Sequence, residues 1–212
     1  MKRLMRAAFS VAASLCLAIN AGCDAAAQNF YAEGIAKEKR GDFDDAFSDL
    51  NKAILLNPDL AVAYYARARA RESVNDFKGA VVDYTAAIER KPDFFQAYDS
   101  RGMANASLGN IDAAIADSGK AIELSPAYPR PYSNRGVYKF EKADFEGALA
   151  DYNRAIELSP KSFQPYVNRG IVKRKLGDTT GSNADFARAI ELNAEAEKLI
   201  KARGYSLTVT SK

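Results

Sequence analysis

The stretch PRPYSNRGVYKFEKADFEGALADYNRAIELSPKS at residues 129–162 decides the fold, because the next 34 residues, FQPYVNRGIVKRKLGDTTGSNADFARAIELNAEA at 163–196, repeat its pattern. Position 4 is aromatic in both (Tyr132, Tyr166), and position 8 is glycine (Gly136, Gly170). Working towards the N-terminus, segments starting at Phe95, Ala61 and Ala27 fall on the same columns. Position 4 becomes Tyr98, Tyr64 and Phe30, and position 8 Gly102, Ala68 and Gly34. Position 20 is Ala46, Ala80, Ala114, Ala148 and Ser182, and position 27 is alanine five times, from Ala53 to Ala189. Position 24 reads Leu50, Tyr84, Ser118, Tyr152 and Phe186, and Pro58, Pro92, Pro126 and Pro160 close the first four copies. A fixed period of this length marks units that bury their apolar faces only by stacking on one another.

Within each unit the apolar spacing reads as two helices split near the fifteenth position. Gly41, Asn75, Gly109 and Gly177 stand there, residues that tolerate the left-handed conformation ending a helix. Ala143 is the exception, and left-handed geometry there is expected to cost about 1 kcal/mol. Asp42, Asp76, Asn110, Asp144 and Asp178 follow as N-caps for the second helices. The helical glycines at position 8 are expected to let paired helices approach closely against the small residues of positions 20 and 27.

These columns resemble the tetratricopeptide repeat over 170 of the 212 residues. The resemblance implies an all-α, right-handed superhelical solenoid of five helix-turn-helix repeats: 27–60, 61–94, 95–128, 129–162 and 163–196. A capping helix runs into 197–212, with Gly204 as its stop. Position 4 is Tyr or Phe where that family often has Trp, and the fifth repeat has Ala194 in place of the closing proline.

Composition removes most catalytic classes. The chain has no His, so Ser-His-Asp and Cys-His catalysis and His-containing metal or haem sites are excluded. No G-x-G or phosphate-binding loop occurs, so no nucleotide cofactor, metal or catalytic residue is expected, and the chain reads as a non-enzyme. Setting aside Lys2, Arg3 and Arg6 leaves 27 basic against 27 acidic residues, without the basic stripe a nucleic-acid partner requires.

Those three charges precede an apolar stretch, 7–19, of signal-peptide length, so residues 1–26 read as a signal for bacterial export to the periplasm. Cleavage after Ala27 fits the small residues there. Ala21-Gly22-Cys23 resembles the lipobox of bacterial lipoproteins, with Asn20 where a branched aliphatic is usual, and would make Cys23 a membrane anchor. Either way Cys16 is lost, which leaves the mature chain no disulfide.

Arg67, Arg101, Arg135 and Arg169 at position 7 match Asp83, Asp117, Asp151 and Asp185 sixteen residues on, with Asp49 opposite Glu33 in the first repeat. They form either an anion-binding ladder or an ion pair within each hairpin, and their equal recurrence favours pairing. The family's concave groove is lined by first-helix positions 2, 5, 9 and 12. Carried over, these give an apolar track of Tyr31, Tyr65, Met103, Val137, Phe140 and Ile171 beside Arg69, Arg130 and Arg174. Asp99 also falls in these columns, as do Glu38, Glu72, Ser133 and Gln164, and Asn134 and Asn168 sit at position 6. In chaperone adaptors of the family a clamp for a C-terminal carboxylate pairs such an Asn with Lys and Asn of the preceding repeat. Asp99 with Met103, and Ser133 with Val137, stand in those places, so that ligand is not implied. The expected partner is a protein or peptide in the groove, which suits a scaffold or adaptor of the cell envelope. The alternatives are a lipid-anchored component acting through its outer face, and a homo-oligomer.

Overall fold

The computed structural model describes residues 22–206; residues 1–21 of the expected signal at 1–26, and residues 207–212 of the expected tail, lie outside the described residues. Helix α1 occupies residues 22–40. It is followed by α2 (Phe43–Leu56), α3 (Ala61–Ser73), α4 (Phe77–Arg90), α5 (Phe95–Ser107) and α6 (Ile111–Leu124). Then come α7 (Pro129–Glu141), α8 (Phe145–Leu158), α9 (Gln164–Lys175), α10 (Thr179–Leu192) and α11 (Glu195–Ala202). The helices group into two compact units that divide between Asp93 and Phe94. The first holds the hairpins α1–α2 and α3–α4. The second holds α5–α6, α7–α8 and α9–α10, with α11 packed on the last. Within each unit consecutive hairpins stack side by side, the all-α architecture of a helical-repeat solenoid.

The hairpin turns follow from local chemistry. Gly41, Asn75, Gly109, Ala143 and Gly177 all have positive φ, Ala143 at 60°. The next residue bonds back across the helix end, as in Asp144 N–H to Lys139 C=O at 2.9 Å. Asp76, Asp144 and Asp178 then accept from the backbone N–H of Gly79, Gly147 and Gly181 at 2.8–2.9 Å. Asp42 and Asn110 make no such bond. Their third residues are Asp45 and Ala113, and a Cβ on Gly79, Gly147 or Gly181 would stand 2.1 Å from the capping carboxylate.

The position-8 glycines face position 24 across the hairpin, not only the small residues of positions 20 and 27. A Cβ would fall 2.7 Å from Leu50 at Gly34, 2.6 Å from the Tyr152 ring at Gly136, and 2.6 Å from the Phe186 ring at Gly170. The bulk absent from one helix is supplied by the other, and Leu50, Tyr152 and Phe186 are buried there. The second repeat keeps the same assignment with alanine in place of glycine: Ala68 at position 8 and Tyr84 at position 24 are both fully buried.

Each hairpin is also closed by charge. Arg67, Arg101, Arg135 and Arg169 make two-pronged bonds to Asp83, Asp117, Asp151 and Asp185 at 2.6–3.0 Å. Their guanidinium carbons lie 5.5–5.9 Å from the position-4 rings of Tyr64, Tyr98, Tyr132 and Tyr166. A second donor reaches the same aspartates from position 11: Arg71, Asn105, Lys139 and Lys173. In the first repeat Lys37 at position 11 holds Asp49 at 2.5 Å in place of the absent arginine. Pairing, not an outward anion ladder, uses these side chains.

Candidate functional site

In the second unit a cleft of about 410 Å³ opens between α7, the end of α8 and α9. Prolines start both inner helices, Pro129 and Pro131 in α7 and Pro165 in α9, where a missing N–H costs nothing. From α7 the cleft receives Arg130, Ser133, Asn134 and Val137, and from α9 Gln164 and Asn168; Ser159 and Ser162 come from the connection between α8 and α9.

Two bonding patterns fix what the asparagines offer. Asp99 of α5 is fully buried and accepts from Arg130 Nε at 2.5 Å and from Asn134 Nδ2 at 3.0 Å. Facing a carboxylate, Asn134 must turn its NH₂ towards it, which leaves the amide oxygen for another donor. Asn168 has the opposite commitment: its Oδ1 accepts from Arg203 Nη1 at 3.4 Å, leaving its NH₂ to donate. One amide accepts and one donates from the two helices that border the cleft, the alternation presented by the main chain of an extended peptide. No acidic side chain lines the cleft.

The remaining expected site residues fall elsewhere. Met103 is 40% exposed on α5. Phe140 is half-buried against Phe145, at a centroid distance of 5.6 Å, and belongs to the packing around Tyr152. Ile171 is a core residue beside Val167, Phe186 and Ile200. Arg174 turns away to α10, where it bonds Ser182 Oγ at 3.2 Å and Asn183 Oδ1 at 2.6 Å. Ser159 and Ser162 were not foreseen from the sequence. They belong to a connector, and helical periodicity carries no signal for connectors.

In the first unit Tyr31 and Tyr65 are half-buried, and Arg69 Nη2 stands 2.8 Å from Glu38 Oε1. Burial is the main cause that raises the Tyr31 phenol above its ordinary range; Arg69 opposes this, while Glu38 and Tyr65 add to it. Glu38 is itself only 9% exposed, and its Oε2 meets no hydrogen-bond donor. Cys23 lies half-buried in α1.

Comparison with known proteins agrees with this fold. Residues 65–129 match a tetratricopeptide-repeat family model, and residues 139–177 match a second TPR-repeat model. The chain carries tetratricopeptide repeats. A solved structure of MamA 41-end from Desulfovibrio magneticus RS-1 superposes with a TM-score of 0.73 at 17% identity, covering 80% of this chain and 96% of that one. The pilF protein of Pseudomonas aeruginosa gives 0.72 at 18%, covering 86% and 88%. YrrB, described as a TPR protein with an unusual peptide-binding site, gives 0.68 at 15%, covering 82% and 90%. At these identities the likeness is one of fold. A search of curated proteins gave no significant match.

Proposed function

We propose that the chain is a protein-interaction scaffold or adaptor that holds an extended segment of a partner in the α7–α9 cleft and works in the bacterial cell envelope after export. The observation that carries the reading is the pair of committed asparagines, Asn134 as acceptor and Asn168 as donor, on facing helices of a cleft free of carboxylates. Arg130, 43% exposed and oriented by Asp99, adds a positive charge at the edge. A photo-reactive residue at Ser133, which lines the cleft, is the test. It should capture one dominant heterologous protein in cells, and Asn134→Ala with Asn168→Ala should abolish the capture. Persistent capture in the double variant, or adducts only with the chain itself, would overturn the cleft assignment.

The anchoring alternative has its own support. Helix α1 runs unbroken through residues 22–40, Ala27 within it is fully buried, and Asp24 Oδ1 accepts from Asn57 at 2.7 Å. Cleavage after Ala27 would remove that turn, whereas cleavage before Cys23 keeps it. We therefore favour Cys23 as the first residue of the mature chain, acylated at the membrane. Mass spectrometry of the mature N-terminus decides it: a lipid-modified Cys23 is expected, and an unmodified Gln28 would refute it.

A further inference from the structure

We infer that the inner face of the first unit seats a basic side chain of the partner, a guanidinium or ammonium held by Glu38 beside the phenol rings of Tyr31 and Tyr65. The inference rests on the reading that this chain binds a partner protein, and it names a chemistry for one of that partner's residues.

Three observations converge. Glu38 is 9% exposed, and Arg69 occupies its Oε1 at 2.8 Å while Oε2 has no donor. A carboxylate has room for about four hydrogen bonds, and a buried oxygen left without one is a defect that an incoming N–H repairs. The inner columns also set the sign of the guest. Among the position-9 and position-12 residues of the first two repeats, Arg69 is basic and Glu38 and Glu72 are acidic, and the Arg69 guanidinium meets Glu38 through one oxygen only. Glu72 Oε2 accepts from Tyr84 Oη at 2.6 Å. A cation is attracted by the carboxylate oxygen that lacks a donor; an anion is repelled by it. Finally, Arg69, Glu38 and Tyr65 all act electrostatically on the Tyr31 phenol, which puts these four side chains in one neighbourhood. The buried carboxylate of the second unit behaves differently: Asp99 is bonded through both oxygens to Arg130 and Asn134.

Arg69 is the side chain that must yield. It is 42% exposed and its guanidinium is tied to Glu38 by one ion pair, so a partner's cation can share the carboxylate as it moves aside.

The test uses the full chain with ¹³C-labelled tyrosine rings, titrated with the tripeptide amides Ac-Ala-Arg-Ala, Ac-Ala-Lys-Ala, Ac-Ala-citrulline-Ala and Ac-Ala-Glu-Ala. The two basic peptides should shift the Tyr31 and Tyr65 signals saturably, and the citrulline and glutamate peptides should not. Glu38→Gln, which keeps shape and removes charge, should weaken the response about tenfold or more. Arg69→Met should tighten it severalfold, because the competing cation is gone; a damaged fold would not produce a gain. Equal shifts from the glutamate peptide, an unchanged response in Glu38→Gln, or weaker binding in Arg69→Met would each overturn the assignment. The double variant Asn134→Ala with Asn168→Ala leaves this face intact. Failure of partner capture there with the tripeptide response preserved separates this site from the α7–α9 cleft.

Discussion

Replacing Gly136 with alanine tests the packing rule of the hairpins. Alanine is better than glycine in a helix interior by about 1 kcal/mol, so propensity alone predicts stabilisation. The structure predicts the reverse. The new Cβ would lie 2.6, 2.9 and 3.0 Å from three atoms of the Tyr152 ring, which is 2% exposed and cannot retreat without displacing its neighbours. Overpacking of this kind costs about 1–3 kcal/mol, so the net loss should be about 1 kcal/mol. The same substitution at Gly102 meets nothing closer than 3.2 Å, because Ser118 stands where the other repeats carry Tyr, Phe or Leu. There the helix propensity should nearly prevail, leaving the variant neutral or slightly stabilised. Urea denaturation followed by circular dichroism should therefore separate two identical substitutions by about 1–2 kcal/mol. In a Tyr152→Ala background the penalty at Gly136 should vanish and the propensity gain emerge. Equal midpoints for Gly136→Ala and Gly102→Ala, or a penalty that survives removal of the ring, would refute the reasoning.

Ala143→Gly should stabilise the chain by about 1 kcal/mol in the same assay, since φ is 60° there and glycine occupies that region without a clashing Cβ. Asp151→Asn should cost about 3 kcal/mol, because Asp151 is buried and its loss strands both Arg135 and Lys139, whereas Glu195→Gln at the exposed Lys198 pair should cost below about 1 kcal/mol. Asp49 titrates below the ordinary carboxylate range, chiefly through its bond from Lys37, with Lys52 helping. A depressed folded-state value stabilises above the unfolded value, near pH 4, and is lost as pH falls through the folded one. Acid unfolding monitored by circular dichroism should accordingly begin at a higher pH in Lys37→Gln than in the unaltered chain.

What the sequence conveyed well was local. Period, turn residues and the left-handed Ala143 are decided within a few residues, and so is the Arg–Asp pairing within one hairpin. The caps were only partly legible, because Asp42 is the same residue as the bonded caps Asp76, Asp144 and Asp178 and differs from them only in what stands three positions on. The groove was legible least. A column assignment treats every inner position as equally open, but the surroundings change along the array. Ile171 would face outward were Ile200 of α11 not packed beside it. Phe140 has Phe145 within reach, and Arg174 finds Asn183 on α10. Arg130, Asn134, Val137 and Asn168 do share one cleft, because helical spacing sets the first three on one face of α7 and the 34-residue period sets Asn168 at the matching place on α9.

Each position-7 arginine finds its aspartate sixteen residues ahead in the same hairpin. Unequal recombination that inserts or deletes 34 residues therefore carries both halves of every pair together. An insertion of any other length inside a hairpin separates guanidinium from carboxylate and leaves each half-buried without its counter-charge. The hairpin pairs of this array thus admit growth and shrinkage in whole repeats, while Arg69–Glu38 and Arg130–Asp99, which join successive repeats, fix which neighbours must stay together.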